Sequence, residues 1–384
     1  MRDRHRSGPA ENPLKAVIIG AGPAGLAAAA CLKAAGVAVD ILEREQIPAA
    51  SWRHHYDSLR LHTSRRRSQL PGLKFPAHTG RYPSLNDVIA YLEDYTRHHG
   101  LAPRLGCEVT AVAPSGTGWQ VTHSGGQDRA DIIVMATGIN AAPRRPDWPG
   151  TFDGPILHSS QYRNATHYAG QRVLVVGFGN SGGDIALDLA NAGVDVALSV
   201  RGAVNILPKQ LFGIPITSFG MMTKLLGYRV ADRMTAPVLR LAIGRPEDYG
   251  LQSMAKGPAA MVHEDARIPM IDGGTLAAIK AGRIALRPGV AALDGSSVRF
   301  ADGTSQPFDA IIAAIGYSTD LRPLLGPDCA ALDARGHPLT SGAPTAAKGL
   351  YFCSFKVSPY GQLFATGQEA MAIADHVRTL AAPA

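Results

Sequence analysis

One pattern occurs twice in this chain: a short apolar run, a glycine-rich turn, a helical stretch and a second apolar run. The first copy enters as AVIIG at 16–20 and turns through Gly20-Ala21-Gly22-Pro23-Ala24-Gly25. It then runs helically to about Gly36 and re-enters as VAVDILE. The second copy enters as RVLVVG at 172–177 and turns through Gly177-Phe178-Gly179-Asn180-Ser181-Gly182. A helical stretch follows over 181–192, and VDVALSVRG closes the unit. Strand, GxGxxG turn and helix in that order predict a βαβ unit whose helix N-terminus receives a pyrophosphate. The first glycine permits a tight turn, the second lets backbone N–H groups approach phosphate, and the third allows the helix to lie close on the strand. The expected fold class is α/β, with two Rossmann-like dinucleotide-binding domains.

The residue that ends each unit separates the two sites. Glu43 stands at the end of the second strand of the first unit, followed by Arg44, and its carboxylate would accept hydrogen bonds from ribose hydroxyls. The second unit has Arg201 in that place. A carboxylate there would repel a 2′-phosphate, whereas a guanidinium binds it through two parallel hydrogen bonds, which predicts NADPH over NADH. An arginine at a strand end is also commonly no more than solvent-exposed. Two unlike dinucleotide sites suggest an electron path in which a nicotinamide passes hydride to a permanently held flavin. The expected cofactors are therefore FAD and NADPH. Cys31, Cys107, Cys329 and Cys353 are far apart, so local sequence offers neither a CxxC relay nor a metal cluster, and no metal is expected.

At 384 residues and 46% apolar content the chain suits two domains. Residues 1–12 read as a flexible, Arg-rich tail lacking the apolar stretch of a secretory signal. The expected division is an FAD-binding domain over 13–165, an NADPH-binding domain over 166–305 with an apolar insertion at 206–243, and the rest of the FAD domain over 306–384. The NADPH domain is thus inserted into the FAD domain. A Ser-capped helix is expected over 84–99, strands near 108–113, 119–123 and 131–135, and a last helix over 368–380. The insertion carries Phe212, Phe219, Met221, Met222 and Leu226. It reads as a cover for a substrate pocket, as a subunit contact in a homodimer, or as plain core.

The longest uncharged apolar runs, 16–32 and 210–223, fall short of the about 20 residues a helical membrane span needs. No transmembrane span and a cytoplasmic location are expected. The net charge of +7 includes consecutive Arg65, Arg66 and Arg67. We read it as the solvated surface of a protein that binds two polyanionic dinucleotides, with no nucleic-acid partner.

The segment FDGPILHSSQY at 152–162 places Phe152, Gly154, His158 and Tyr162 in an FxGxxxHxxxY pattern between the two fingerprints. It resembles the flavin-containing and N-hydroxylating monooxygenases; Baeyer–Villiger enzymes are similar but usually carry Trp where Tyr162 stands. Four further segments look most like the plant YUCCA-type monooxygenases and their bacterial relatives. They are SWRHHYDSLRLHTSRRRSQLPGLKFP, RYPSLNDVIAYLEDY, ILPKQLFG and GRPEDYGL, and the resemblance runs from about Val17 to about Val377.

This resemblance implies an NADPH- and O2-dependent enzyme that forms a C4a-(hydro)peroxyflavin and inserts one oxygen into a small organic substrate. The chemistry implied is oxidative decarboxylation of a 2-oxo acid, or N- or S-oxidation. It also implies a set of cofactor contacts. Ser51 and Trp52 would touch FAD, while His62 and Thr63 would lie between flavin and nicotinamide. An imidazole at His62, the one candidate catalytic residue, could donate a hydrogen bond to the flavin hydroperoxide or to bound NADP+. Ala136-Thr137-Gly138 and, with Ile315 for the usual Thr, Gly316 and Tyr317 form two ATG-like elements. Gln362, Leu363 and Phe364 precede a helix whose dipole would favour negative charge on the reduced ring. Val109, His158, Ser159 and Asp184 complete the set. Three readings compete: a flavin reductase or electron-transfer flavoprotein without oxygen insertion, a Baeyer–Villiger monooxygenase, and a redox sensor, the last opposed by the absence of a recognisable output module.

Overall fold

Both glycine-rich turns are the hinges of parallel sheets. The structure, a computed structural model, describes residues 14–381, so the expected tail lies outside the described residues. The first sheet is parallel and runs in the order Ala38–Leu42, Lys15–Ile19, Ile132–Met135, Leu350–Phe352. The second is also parallel, in the order Ile284–Arg287, Asp195–Ser199, Arg172–Val176, Ala310–Ala313, Ile156–His158. After a charged first residue, Lys15 or Arg172, the strands Lys15–Ile19 and Arg172–Val176 are apolar and buried because both their faces are covered. One face of the first sheet carries the helices Pro23–Ala34, Leu85–His98 and Gln362–Ala381, and the other carries an antiparallel meander from Val109 to Ala130. The second sheet is sandwiched likewise, between the helix Asn180–Asn191 and a small sheet built on Val290–Gly295 and Ser297–Phe300.

The glycine spacing has the consequence the sequence implies. A Cβ on Gly25 would sit 1.8 Å from the Gly20 carbonyl oxygen, and one on Gly182 would sit 1.9 Å from that of Gly177. Gly20 and Gly177 turn at φ +107° and +109°, which L side chains rarely adopt. Cβ atoms at Gly22 and Gly179 would instead meet nothing within 4 Å, so these two backbones border open space.

Several boundaries differ from expectation. The second sheet takes Ile156–His158 and Ala310–Ala313 from either side of 166–305. An apolar run flanked by an ATG-like element carries no mark of which sheet it joins, and pairing with Arg172–Val176 decides it. The last helix begins at Gln362, six residues before the expected start at 368, and spans 20 residues. Gly367 lies inside this helix, where Pro71 packs 3.0 Å from the position a Cβ would take. The apolar insertion, irregular by sequence, contains helices Gly220–Leu226 and Tyr228–Ile243, the second with Pro237 inside it. The Ser84 cap is as expected: Ser84 Oγ accepts from the Asp87 N–H, and the Asp87 carboxylate accepts from the Ser84 N–H.

Gly182→Ala is expected to destabilise the protein by about 3 kcal/mol or more, because the clash is backbone against backbone. Gly179→Ala, facing open space, should cost about 1 kcal/mol or less. Urea unfolding of the two variants beside the parent checks the contrast.

Candidate functional site

The C-terminal ends of the first sheet open into a cavity of about 870 Å3 that reaches across to the second domain. This is where an open parallel sheet offers a ligand its crevice. Gly20, Gly22, Pro23, Ala24, Glu43 and Arg44 line one end, and Ser51, Trp52, His62, Thr63, Val109, Ala136, Thr137 and Gly138 continue the wall. Asn180, Tyr317, Gln362 and Leu363 also face it. Gly25 does not: its place is against the strand.

The first end fits a dinucleotide. Gly22 caps the helix Pro23–Ala34 without a side-chain cap, and the first turn contains no acid. Its N–H groups and dipole are therefore available to an anion. Thr137 Oγ1 is buried with no partner in the protein, a hydroxyl that a ligand group would satisfy. Glu43 does more than the ribose contact expected of it. One carboxylate oxygen accepts from the Ala21 N–H at 2.6 Å and the other from the Glu45 N–H at 3.0 Å, so it also holds the phosphate loop in shape.

The second fingerprint sits differently. Gly179 caps its helix without a side-chain bond and with no acid in the first turn. Yet of these residues only Asn180 lines the cavity, and its Oδ1 accepts from the Ile271 N–H at 2.7 Å. Gly177, Gly179, Ser181 and Gly182 lie outside that lining, and Arg201 is exposed just past the strand Asp195–Ser199.

Five more expected contacts lie outside the cavity lining. Asp184 lies outside the cavity lining; its Oδ2 accepts from the Tyr56 hydroxyl at 2.9 Å and stands 3.3 Å from His62 Nε2. His158 donates from Nε2 to the Gly316 carbonyl at 3.0 Å and accepts at Nδ1 from the Ser160 N–H, while its ring meets Tyr317 edge-on. Ser159 is buried beside it, and Ser160 is the neighbour that reaches the cavity. Gly316, held by His158, and Phe364, under the Arg67 guanidinium at 5.7 Å, also lie outside the lining.

The FxGxxxHxxxY segment thus has a structural use. Phe152 packs under the second sheet, Gly154 lets the chain pass the Asp309 carbonyl, and His158 holds Gly316. Tyr162, 1% exposed, donates to Asp188 Oδ2 at 2.6 Å. Burial and the adjoining carboxylate hold the Tyr162 phenol far above its usual range, so it remains a donor.

Gln362 donates through Nε2 to Ser354 Oγ at 2.9 Å, while its Oε1 is buried without a partner. It starts the long last helix at the cavity wall. Burial, with Arg163 and His54 adding to it, lowers the His55 pKa, so this cavity-lining imidazole is neutral near pH 7.

Residues that sequence reasoning did not single out complete the far chamber. Leu207, Leu211, Ile216, Thr217, Phe219, Ala231, Thr235 and Leu239 from the insertion face the cavity, with Pro258, Val262 and Ile268 opposite. The insertion is therefore a wall of the cavity. Phe212 is 78% exposed, and the side chains of Met221 and Met222 lie outside the described residues. Thr217 Oγ1 is buried and unpaired, and Thr223, Asp232 and Thr235 are further polar residues in a mostly apolar chamber. Only the helical spacing of the insertion could have signalled this wall, and Pro237 obscures it.

Two dinucleotide folds facing one cleft define a pyridine-nucleotide-dependent flavoprotein oxidoreductase. Residues 17–209 match the pyridine nucleotide-disulphide oxidoreductase family model. Indole-3-pyruvate monooxygenase YUCCA1 of Oryza sativa subsp. japonica is 41% identical over 315 residues, which cover 80% of this chain and 77% of that protein. YUCCA6 of Arabidopsis thaliana is 38% identical over 317 residues, covering 79% and 76%. The chain belongs to the YUCCA-type branch of the flavin-containing monooxygenases, enzymes that use FAD, NADPH and O2 and insert oxygen into a small substrate. Among solved structures, the flavin-containing monooxygenase of Stenotrophomonas maltophilia superposes with a TM-score of 0.72 at 23% identity, covering 97% of this chain and 100% of that one. Bacillithiol disulfide reductase of Staphylococcus aureus reaches 0.70 at 18% identity, covering 96% and 99%, so the fold alone does not choose the chemistry. All four cysteines here are free.

Glu43→Ala should lower stability by about 2–3 kcal/mol by leaving two loop N–H groups without a charged acceptor. Arg44→Ala, losing only an exposed contact to Glu45, should cost less than about 1 kcal/mol. Thermal unfolding of both variants gives the comparison.

Proposed function

We propose that this enzyme oxygenates a small, largely apolar substrate held in the chamber under the insertion, with an aromatic 2-oxo acid as the first candidate and thioethers and amines next. The observation that carries this reading is the continuity of the apolar chamber with the dinucleotide cleft in a chain 41% identical to an indole-3-pyruvate monooxygenase. FAD held here would supply the redox centre for NADPH and O2. The residues around it bind and shield. The Gly22 loop and the helix it caps take the FAD pyrophosphate, Glu43 the ribose, and Ser51, Trp52, Thr63, Val109 and the 136–138 turn flank the ring. The N-terminus of the helix Gln362–Ala381 favours negative charge beside the ring. Leu211, Ile216, Phe219 and Leu239 keep water out, which strengthens every polar contact inside.

The Gly177–Gly182 turn holds the NADPH pyrophosphate and Arg201 the 2′-phosphate. Arg201 is exposed and forms no ion pair among the described residues, which leaves its guanidinium free for that contact. The FAD domain takes the described parts of 13–165 and 306–384, less the strands Ile156–His158 and Ala310–Ala313, which pair in the second sheet. The free cysteines suit a reducing cytoplasm. No helix among the described residues is long and apolar enough to cross a membrane. The exposed Leu225, Val230, Met234 and Leu241 on the outside of the insertion supply a face for a homodimer.

With NADPH and 18O2, the purified yellow protein should place one 18O in the acid formed from indole-3-pyruvate, or in a sulfoxide or N-oxide. Hydrogen peroxide without labelled product from any of these would instead mark a flavin reductase. Arg201→Ala should raise KM for NADPH by about tenfold or more and leave that for NADH within about twofold. If neither constant moves, Arg201 does not bind the 2′-phosphate.

A further inference from the structure

Between the last strand of the first sheet, Leu350–Phe352, and the long helix Gln362–Ala381, the chain turns sharply against the cavity. Ser354 opens that turn in the left-handed region, at φ +70°, a conformation that L side chains rarely adopt. It lines the cavity together with Gln362, Leu363 and Thr366 and is 8% exposed. A strained residue of this kind persists only where its surroundings hold it.

The holder is Glu369, two turns into the helix. Its Oε2 accepts from the Ser354 N–H at 2.6 Å and from the Ser341 hydroxyl at 2.5 Å. Ser341 Oγ in turn accepts from the Phe355 N–H at 3.0 Å, so one carboxylate oxygen fixes two consecutive backbone groups of the turn. Gly342 makes the room, because a Cβ there would lie 2.5 Å from Glu369 Cγ and 3.0 Å from its Cα. Burial raises the Glu369 pKa, opposed by its two donors and by Lys356.

From Ser354 the order passes to the start of the helix. Thr366 Oγ1 donates its one hydrogen to the Gln362 carbonyl at 2.9 Å. The 2.7 Å contact between Ser354 Oγ and Thr366 Oγ1 is therefore donated by Ser354. Ser354 Oγ accepts in its turn from Gln362 Nε2 at 2.9 Å, and that nitrogen also donates to the Lys356 carbonyl at 3.1 Å. A carbonyl beside it requires the amide nitrogen in that place. The bonds close a ring with one direction, and the Gln362 amide has one orientation.

We propose that Glu369, which does not itself line the cavity, is a positioning residue for the redox ring of FAD. It holds Ser354 in the strained turn, and Ser354 with Thr366 holds the Gln362 amide and the unpaired N–H groups of the helix start beside the ring. The inference rests on the placement of the ring proposed above. Dipoles fixed in advance need no reorganisation when negative charge develops on the ring, whereas a helix start free to fray loses part of that stabilisation.

The test reads bound FAD anaerobically, without substrate. Glu369→Gln keeps a carbonyl oxygen for both donors and removes the charge, so it is the reference for charge. Relative to it, Glu369→Ala should favour the oxidised flavin by about tenfold or more, a fall of about 30 mV in the two-electron potential. Ser354→Ala leaves the charge and the carboxylate's backbone bond in place, and should lower the potential relative to the parent by a similar factor. It decides the matter should Glu369→Ala not fold. In the apoprotein, amides between 354 and 366 should exchange hydrogen about tenfold faster in Glu369→Ala than in Glu369→Gln. Tyr351→Phe removes a 2.6 Å bond from the Tyr351 hydroxyl to His376, which ties the same strand to the same helix away from the cavity, and should change neither readout. The inference is overturned if Ser354→Ala leaves the potential at that of the parent, or a folded Glu369→Ala leaves it at that of Glu369→Gln. It is equally overturned if Tyr351→Phe lowers the potential as far, because docking of the helix would then be the cause. A protein that takes up no FAD would overturn the proposed function as well, which separates the two failures.

Discussion

Everything in this molecule that can hold a nucleotide depends on a helix lying closer to a strand than any side chain would permit. Gly25 and Gly182 allow that contact, at 1.8 and 1.9 Å from would-be Cβ to carbonyl oxygen. The approach points each helix N-terminus at the end of its sheet, and Gly22 and Gly179 leave the space in front of it open. Burial then locks the arrangement. Ile18, Val134 and Leu26 are wholly inaccessible around the first turn, and Val175, Ile185 and Leu189 around the second. Flexing either turn would strip contacts from a close-packed core, and the first is held further by the Glu43 carboxylate on the Ala21 N–H.

The two units are then tied by polar bonds at a few points. One helix, Asn180–Asn191, carries several of them: Asn180 to Ile271, Asp184 to Tyr56 and His62, Asp188 to Tyr162. These partners come from the strand Met270–Asp272 of the same domain, from the first domain and from the linking segment. Such bonds are directional and each is buried or half-buried, so they set the angle between the domains where apolar packing would tolerate sliding. A motif used to recognise the family is thus here a clamp whose residues keep the cleft in register.

Much of this was legible in the residues. The two fingerprints and their order carry the fold class and the expectation of two dinucleotides, because turn geometry and phosphate binding are local demands on local residue types. The Ser84 cap was legible for the same reason. Less local features were not. The strands Ile156–His158 and Ala310–Ala313 join the second sheet only through pairing with Arg172–Val176. Asp184, placed two residues past a fingerprint glycine, reads as a cofactor contact, yet the helix turns it towards Tyr56 and His62.

The insertion shows where the division falls. Its apolar composition established that it would be buried against something, and its exposed Leu225 and Leu241 beside cavity-facing Thr235 and Leu239 show that the sides were open. By itself the sequence determined two nucleotide-binding units, their cofactor preference and their family, since each rests on short-range stereochemistry. Only the tertiary structure decided which residues wall the apolar chamber and that His62 lines both it and a second, solvent-facing cavity. Those are distances between segments far apart along the chain, and they exist only once the two sheets have been packed and fixed at one angle.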